Sequence, residues 1–248
     1  MCGRFTVRCR KEDLLNRFDA RDDLGASEWR PRYNAAPGQS IAALRQLPDQ
    51  PTRTLSRLHW GLIPSWAKDA AIGYKMINAR AETVAEKPSF RAPLRSRRCL
   101  IPADGFYEWQ PSGREKLPWC FTMADNSLFA MAALWEEWLP PQSPPADNQP
   151  TLGQVICDQP IPVQPIQSCT ILTTAPNELM RDVHDRMPVI LSPDDYDLWL
   201  DPAFTRVDEL QKLLIPYPAH AMRRFRVSPR VNQVKFDDPL CAEELPAA

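Results

Sequence analysis

The chain begins Met1-Cys2-Gly3-Arg4-Phe5, and a cysteine at the second position has unusual chemistry once the methionine is gone. Cysteine is small enough for an initiator methionine to be removed, and removal puts an α-amine and a thiol on one residue. An α-amine titrates near pH 8, against about 10.4 for lysine, so far more of it is neutral and nucleophilic at physiological pH. Such an amine condenses with an aldehyde to a Schiff base, and the neighbouring thiol then closes a five-membered thiazolidine. Three further residues have suitable side chains. Asn78, in Ile77-Asn78-Ala79-Arg80, offers an amide; Glu108, between Tyr107 and Trp109, is a carboxyl whose pKa an apolar setting would raise toward acid/base use; His184, between Asp182 and Asp185, is one of only three histidines. Taken singly, each also has a structural reading: a small buried thiol, a satisfied amide, a surface carboxylate, a structural imidazole.

The elements that must position these residues are short. Among 248 residues there are 27 Pro and only 8 Gly, which argues against long helices because interior proline removes a hydrogen bond and clashes with the preceding turn. Residues 41–47, 54–60, 99–103, 106–109, 119–123, 128–134 and 169–173 are apolar or alternating runs bounded by Pro, Gly or Asp, and read as strands. Leu14, Leu15 and Phe18 place a short amphipathic helix at 12–18. Ser192-Pro193-Asp194-Asp195 is a helix start, and 207–214 reads as a further helix. Without a regular βαβ alternation, the expected fold is α+β, a single domain with a curved, barrel-like mixed β-sheet flanked by short helices.

Composition narrows the function. Thirty basic against 31 acidic residues leave a formal charge of −1, so any polyanion site must be local. Of the basic residues 23 are Arg, whose planar fork suits phosphate, although Arg-favouring codon usage explains the count equally well. Arg91, Arg95, Arg97 and Arg98 form a run that reads as a solvated face or an auxiliary nucleic-acid contact. The charged first segment leaves no apolar core for a signal peptide, and no stretch reaches the length of a membrane span. Seven cysteines without a CxxC pair suggest a reduced, cytoplasmic protein with no disulfide frame and no zinc site. Residues 139–167 are proline-rich and are expected to form a surface loop; the last residues, 236–248, are expected to be a frayed tail.

Six segments together resemble the SOS response-associated peptidase family, the abasic-site processing proteins. They are Met1-Cys2-Gly3-Arg4-Phe5, Arg32-Tyr33-Asn34-Ala35-Ala36-Pro37-Gly38, Trp60-Gly61-Leu62-Ile63-Pro64-Ser65-Trp66, Asn78-Ala79-Arg80-Ala81-Glu82-Thr83, 99–109, and His184-Asp185-Arg186-Met187-Pro188. The resemblance implies a domain spanning residues 1–235 that binds single-stranded DNA and crosslinks Cys2, after self-removal of Met1, to the ring-opened sugar of an abasic site. It implies Cys2, Asn78, Glu108 and His184 as catalytic residues, with His184 protonating the sugar oxygen as the ring opens. Arg4, Arg80 and Arg186 lie beside these motifs, as flanking phosphates require. Asn34 and Trp66 complete the expected DNA contacts, Trp66 because Pro64 precedes it in a loop where an indole can stay exposed and stack on a base. No cofactor, metal or membrane contact is expected, the expected partner is single-stranded DNA containing abasic sites, and the chain is expected to act as a monomer. Two rival readings are a cysteine peptidase acting on other proteins, with Cys2, His184 and Glu108 in a triad-like role, and a noncovalent single-strand binding module.

Overall fold

Short apolar runs punctuated by proline can satisfy their backbone groups only by pairing with one another. The computed structural model, which describes residues 2–24, 29–48, 50–141 and 164–246, is built from such pairings. In chain order its strands and α-helices are β1 (Phe5–Val7), α1 (Lys11–Phe18), β2 (Ala20–Asp22), β3 (Arg32–Ala35), β4 (Ser40–Arg45), β5 (Arg53–Trp60), β6 (Asn78–Arg80), α2 (Arg91–Ser96), β7 (Arg98–Ala103), β8 (Gly105–Ser112), β9 (Glu115–Met123), β10 (Phe129–Trp138), β11 (Ile166–Thr174), β12 (Met187–Pro188), α3 (Tyr196–Leu200), α4 (Val207–Lys212) and β13 (Met222–Arg226). The helix start at Ser192 holds, as a single 3-10 turn over Pro193–Asp195 that leads into α3.

One sheet has the order β13-β9-β8-β1-β3 and the other β12-β11-β10-β7-β4-β5-β2. A parallel pairing of β5 with β11, Trp60 opposite Cys169, closes the middle five strands of the second sheet into a ring. The other ring neighbours are antiparallel, so this is a mixed barrel within a single α+β domain. β7 and most of β10 read as continuous apolar runs because both faces are covered there. β7 is buried from end to end, and Trp199 of α3 packs behind it and donates from Nε1 to the Cys99 carbonyl at 3.0 Å. Each such large apolar side chain contributes on the order of 1.5–3 kcal/mol.

Three expectations meet the structure differently. Arg98 is not on a solvated face: it is buried, and its guanidinium donates to the carbonyls of Leu94, Arg95, Trp199, Asp201 and Phe204, stapling α2 and α3 together. Arg97 is paired with Glu136 at 2.8 Å. Arg97 and Arg98 are therefore structural, whereas Arg91 and Arg95 are exposed, as a solvated face requires. The described part of the tail expected to fray, up to residue 246, is tied to the body: Cys241 and Ala242 are buried and Leu245 N–H donates to the Arg226 carbonyl. The proline-rich loop expected at 139–167 falls mostly on residues outside those described.

Candidate active site

The first residues are held along β8. Phe5 faces Phe106 and Thr6 faces Gly105 in an antiparallel register, and Tyr107 N–H donates to the Arg4 carbonyl at 2.9 Å. Continuing that register brings Cys2 beside Glu108 and Trp109. Gly105 packs closely here: a Cβ would lie 3.1 Å from both Cys120 Sγ and Thr6 Oγ1, so those side chains would have to shift by a few tenths of an ångström. Asp104 fixes the strand by accepting from Thr6 Oγ1 and from the Arg8 backbone and guanidinium.

β11 gathers the other two motifs. Asn78 and Arg80 of β6 lie opposite Ile171 and Thr173, while Thr173 and Thr174 on the same strand face Pro188 and Met187. The Asn78-Ala79-Arg80 and His184-Asp185-Arg186 segments, a hundred residues apart in sequence, are thus neighbours at one strand end. Asn78 reaches back to the N-terminal segment, with Nδ2 donating to the Cys2 carbonyl at 2.9 Å. Its Oδ1 is buried and has no hydrogen-bond partner among the described residues, an acceptor short of one donor.

Glu108 is 2% exposed, and burial pushes its carboxyl up to about 7. Burial also pushes the Cys2 thiol well above its ordinary range, and the nearby Glu108 charge adds to that. His184 Nε2 lies 3.9 Å from Glu108 Oε2. Its Nδ1 accepts from the Arg186 N–H at 3.0 Å and lies 2.9 Å from Asp185 Oδ1. The amide favours a neutral ring with its proton on Nε2, facing Glu108; the carboxylate favours the imidazolium. Partial burial dominates and lowers the His184 pKa. A carboxyl near 7 facing an imidazole below its ordinary value is suited to passing protons in either direction near neutrality.

Glu108 and His184 line a cleft of about 410 Å3 together with Arg4, Trp109, Lys116 and Asn232. Arg4 is held by Asn34 Oδ1 at 3.1 Å and the Val231 carbonyl at 2.7 Å, and lies over the Trp109 ring. Trp109 donates to Asn232 Oδ1 at 2.7 Å. Asn34 itself is buried, and its Nδ2 serves the carbonyls of Val231, Gln233 and Phe236, so the amide is engaged inside the chain. Arg186 is bidentate to Glu82 at 2.7 and 2.8 Å, whereas Arg80 is exposed. Trp66 is 59% exposed, as expected for its loop. That loop is braced where Gly61, at φ +138°, meets Gly73: a Cβ on either would lie 2.7 Å from the other's carbonyl oxygen.

Lys116, Asn232 and Tyr74, which is 74% exposed, escape the reading of the sequence. Lys116 was legible in principle. The turn at Gly113 folds β9 onto β8 and sets Lys116 opposite Pro111, three residues from Glu108. Asn232 carries no local signal, because only the long-range return of the chain brings it to the cleft.

A mixed barrel whose N-terminal cysteine is set against a buried carboxyl, an amide and an imidazole defines a class of protein, and the sequence comparisons agree on which. Residues 1–234 match the model of the SOS response associated peptidase (SRAP) family, and the chain belongs to that family. Abasic site processing protein YoqW of Bacillus subtilis (strain 168) is 45% identical over 240 residues, 96% of this chain and 97% of the relative. Abasic site processing protein HMCES of Gallus gallus is 30% identical, covering 97% of this chain and 77% of the relative. Among solved structures, a protein from Bacteroides thetaiotaomicron superposes with a TM-score of 0.82 at 23% identity over 99% of this chain and all of that one. One from Bordetella bronchiseptica does so at 0.72 and 26% identity, over 92% of this chain and all of its own.

Proposed function

We propose that this chain captures abasic sites in single-stranded DNA as a covalent adduct of Cys2, freed of Met1. The observation that carries the reading is the placement of Cys2 against Asn78 and Glu108, with His184 3.9 Å from the Glu108 carboxyl. Ring opening of the sugar hemiacetal moves a proton onto the ring oxygen from the imidazolium form of His184, while the anomeric hydroxyl gives its proton to the Glu108 carboxylate, and leaves an aldehyde at C1′. The Cys2 amine adds to that carbon, and loss of water through Glu108 gives the imine. The thiol then adds to the imine carbon while its proton passes to nitrogen. Aldehyde, amine and thiol thus become a thiazolidine and one water. Burial, which suppresses the thiolate, makes the amine the first nucleophile and the sulfur the second. Asn78 Oδ1 is the acceptor that orients the amine.

The same imine acidifies the neighbouring carbon, so slow β-elimination of the 3′ phosphate is the side reaction that ring closure diverts. Removal of Met1 is a hydrolysis at the Met1–Cys2 peptide, for which Glu108 is the suitable base. Arg80 and Lys116 hold phosphates on either side of the sugar, and Trp66 stacks on a neighbouring base. The reading has the chain act in the cytoplasm as a monomer, without cofactor.

Intact mass tests it, before and after mixing with an abasic single strand. The expected protein lacks one methionine and gains the mass of the strand less water, in an adduct that survives denaturing gels. Cys2→Ala is expected to abolish the adduct while keeping noncovalent binding. An active sample that retains Met1, or an adduct undiminished in Cys2→Ala, overturns the mechanism. Complexes that all dissociate on denaturation favour a noncovalent binding module, and digestion of added proteins without DNA favours a peptidase.

A further inference from the structure

His184 follows a run of turns at residues 178–183, and its place beside Glu108 depends on where that run rests. The inner side of the run is anchored in the core. Met180 and Val183 are buried, and Asn177 accepts from the Met180 N–H at 3.1 Å through Oδ1 while its Nδ2 donates to the Tyr217 carbonyl at 2.8 Å. The Met180 carbonyl then accepts from the N–H groups of Val183 and His184 at 2.9 and 3.0 Å, so the backbone of His184 moves with the run. The outer side is held from the sheet. Gln110 lies two residues beyond Glu108 on β8, Trp119 of β9 stands opposite Glu108, and Arg224 of β13 stands opposite Phe121, so all of them project from the face that carries Glu108. Gln110 Nε2 donates to the Asp182 carbonyl at 3.2 Å. Arg224 donates to the Leu179 carbonyl at 2.7 Å and, with both terminal nitrogens, to the Asp182 carboxylate, which these charge-assisted bonds hold below the usual carboxylate range. Trp119 joins the two: its Nε1 donates to Gln110 Oε1 at 3.0 Å, and the Arg224 guanidinium lies over its ring, 4.8 Å from the centre.

The brace therefore reaches the chain at Leu179 and Asp182, the latter two residues before His184. The contacts of His184 Nδ1, with the Arg186 N–H and the Asp185 carboxylate, are to residues that follow it and travel with it, so they fix the tilt of the ring rather than its height over β8. A proton donor displaced by about 1 Å from its working position loses on the order of a hundredfold in rate. We propose that Arg224, acting with Gln110 and Trp119, is a positioning residue for His184: it sets the distance of the imidazole from Glu108 without touching the sugar. The proposal rests on the reading of His184 as the proton donor of ring opening. It gives the Arg224 guanidinium no phosphate to hold, since Asp182 and the Leu179 carbonyl already occupy it. Preference for a ring-closed sugar over an open aldehyde is then set in part from β13, two strands away from Glu108 in the sheet.

A double-mutant cycle tests it, with single-turnover rates of adduct formation on an abasic single strand and on a simple aldehyde. Arg224→Met is expected to slow capture of the natural sugar at least about tenfold, to leave the simple aldehyde within about twofold, and to leave the strand concentration for half-maximal rate unchanged. Arg224→Lys, which keeps a donor for Leu179 and a charge for Asp182, is expected to recover most of the rate. In a His184→Ala background Arg224→Met is expected to cost nothing further, whereas independent effects multiply. Asp182→Ala, on an exposed side chain, is expected to follow the same pattern more weakly and keeps the cycle valid if Arg224→Met fails to fold. Unchanged rates in both variants overturn the proposal. So do costs that multiply in the double variant, a raised half-saturating concentration at an unchanged maximal rate, or equal slowing of both substrates by Arg224→Met where His184→Ala discriminates between them; each of these leaves the reading of His184 in place. Equal slowing of both substrates by His184→Ala removes its ring-opening role instead, and the cycle on either substrate still decides whether Arg224 acts through it.

Discussion

Glu108 is buried with a carboxyl that titrates at about 7, so its charge changes within the range where the reaction is measured. Adduct formation is expected to rise between about pH 6 and 8 as the carboxylate forms and the Cys2 amine loses its proton, and Glu108→Gln is expected to lose the lower limb and about 10²–10⁴ in rate, read from single-turnover pH profiles. The same burial has a stability cost of definite sign. The folded value lies above the ordinary 4.5, so the neutral carboxyl's contribution is complete below 4.5 and is lost as pH rises to 7. Above that, holding the ionised form costs on the order of 3 kcal/mol. Glu108→Gln is therefore expected to be more stable than the parent at pH 8 and nearly equal to it at pH 4, measured by urea midpoints at the two values. His184 separates from Glu108 by substrate. His184→Ala is expected to slow capture of the natural sugar about a hundredfold, and a simple aldehyde, which has no ring to open, only slightly. Equal slowing of both removes the ring-opening role.

The segments flanking the cleft depend on a small number of interelement clamps. Asp237 accepts from Arg32 Nε at 2.5 Å and from the backbone N–H groups of Tyr33 and Asn34 at 2.6 and 2.8 Å, tying the C-terminal segment to β3. Asn34 in turn holds Arg4. Asp237→Ala is expected to cost about 2–3 kcal/mol in chemical denaturation and to raise the concentration of DNA needed for half-maximal rate more than it lowers the maximal rate. This clamp lay beyond the reach of sequence patterns, and the reason is general. Of the barrel strands, β7 and β10 announce themselves because long apolar runs are dictated by two covered faces, while β4, β5 and β11 of the ring and β8 and β9 of the other sheet show as short apolar or alternating runs bounded by turn residues. β3, β6 and β13 are three to five residues long and carry Asn or Arg, so periodicity has nothing to register. At the site, Cys2, Asn78, Glu108 and His184 were legible from residue type and family motif, and the geometry brings them together. The buried state of Asn34, the Arg186–Glu82 pair and the cleft side of Lys116 depend on contacts distant in sequence, which no local pattern encodes.

At the scale of the whole molecule a formal charge of −1 offers no general attraction for a polyanion. Binding must then come from a few positive groups, and its salt dependence counts them. Each phosphate contact to a single strand contributes roughly 0.7 to the slope of log K against log salt. Arg80→Ala and Lys116→Met are each expected to flatten the slope by about that amount on a strand with a tetrahydrofuran site. Arg186→Ala is expected to alter it less, because Glu82 already neutralises that guanidinium. Unchanged slopes for Arg80→Ala and Lys116→Met place the DNA elsewhere.

The parallel seam of β5 and β11 joins residues more than a hundred positions apart, and β11 is also the strand on which β6 and β12 assemble. Contacts of such separation form late, because the intervening chain must lose its freedom before they give anything back. Barrel closure and completion of the cleft both wait on such contacts, since the β1–β8 pairing that sets Cys2 beside Glu108 also joins residues about a hundred positions apart. A chain that has collapsed but not yet closed has its hairpins and no working site, so during refolding the return of activity should lag the return of strand signal, and the nucleophile meets its carboxyl only in the finished molecule.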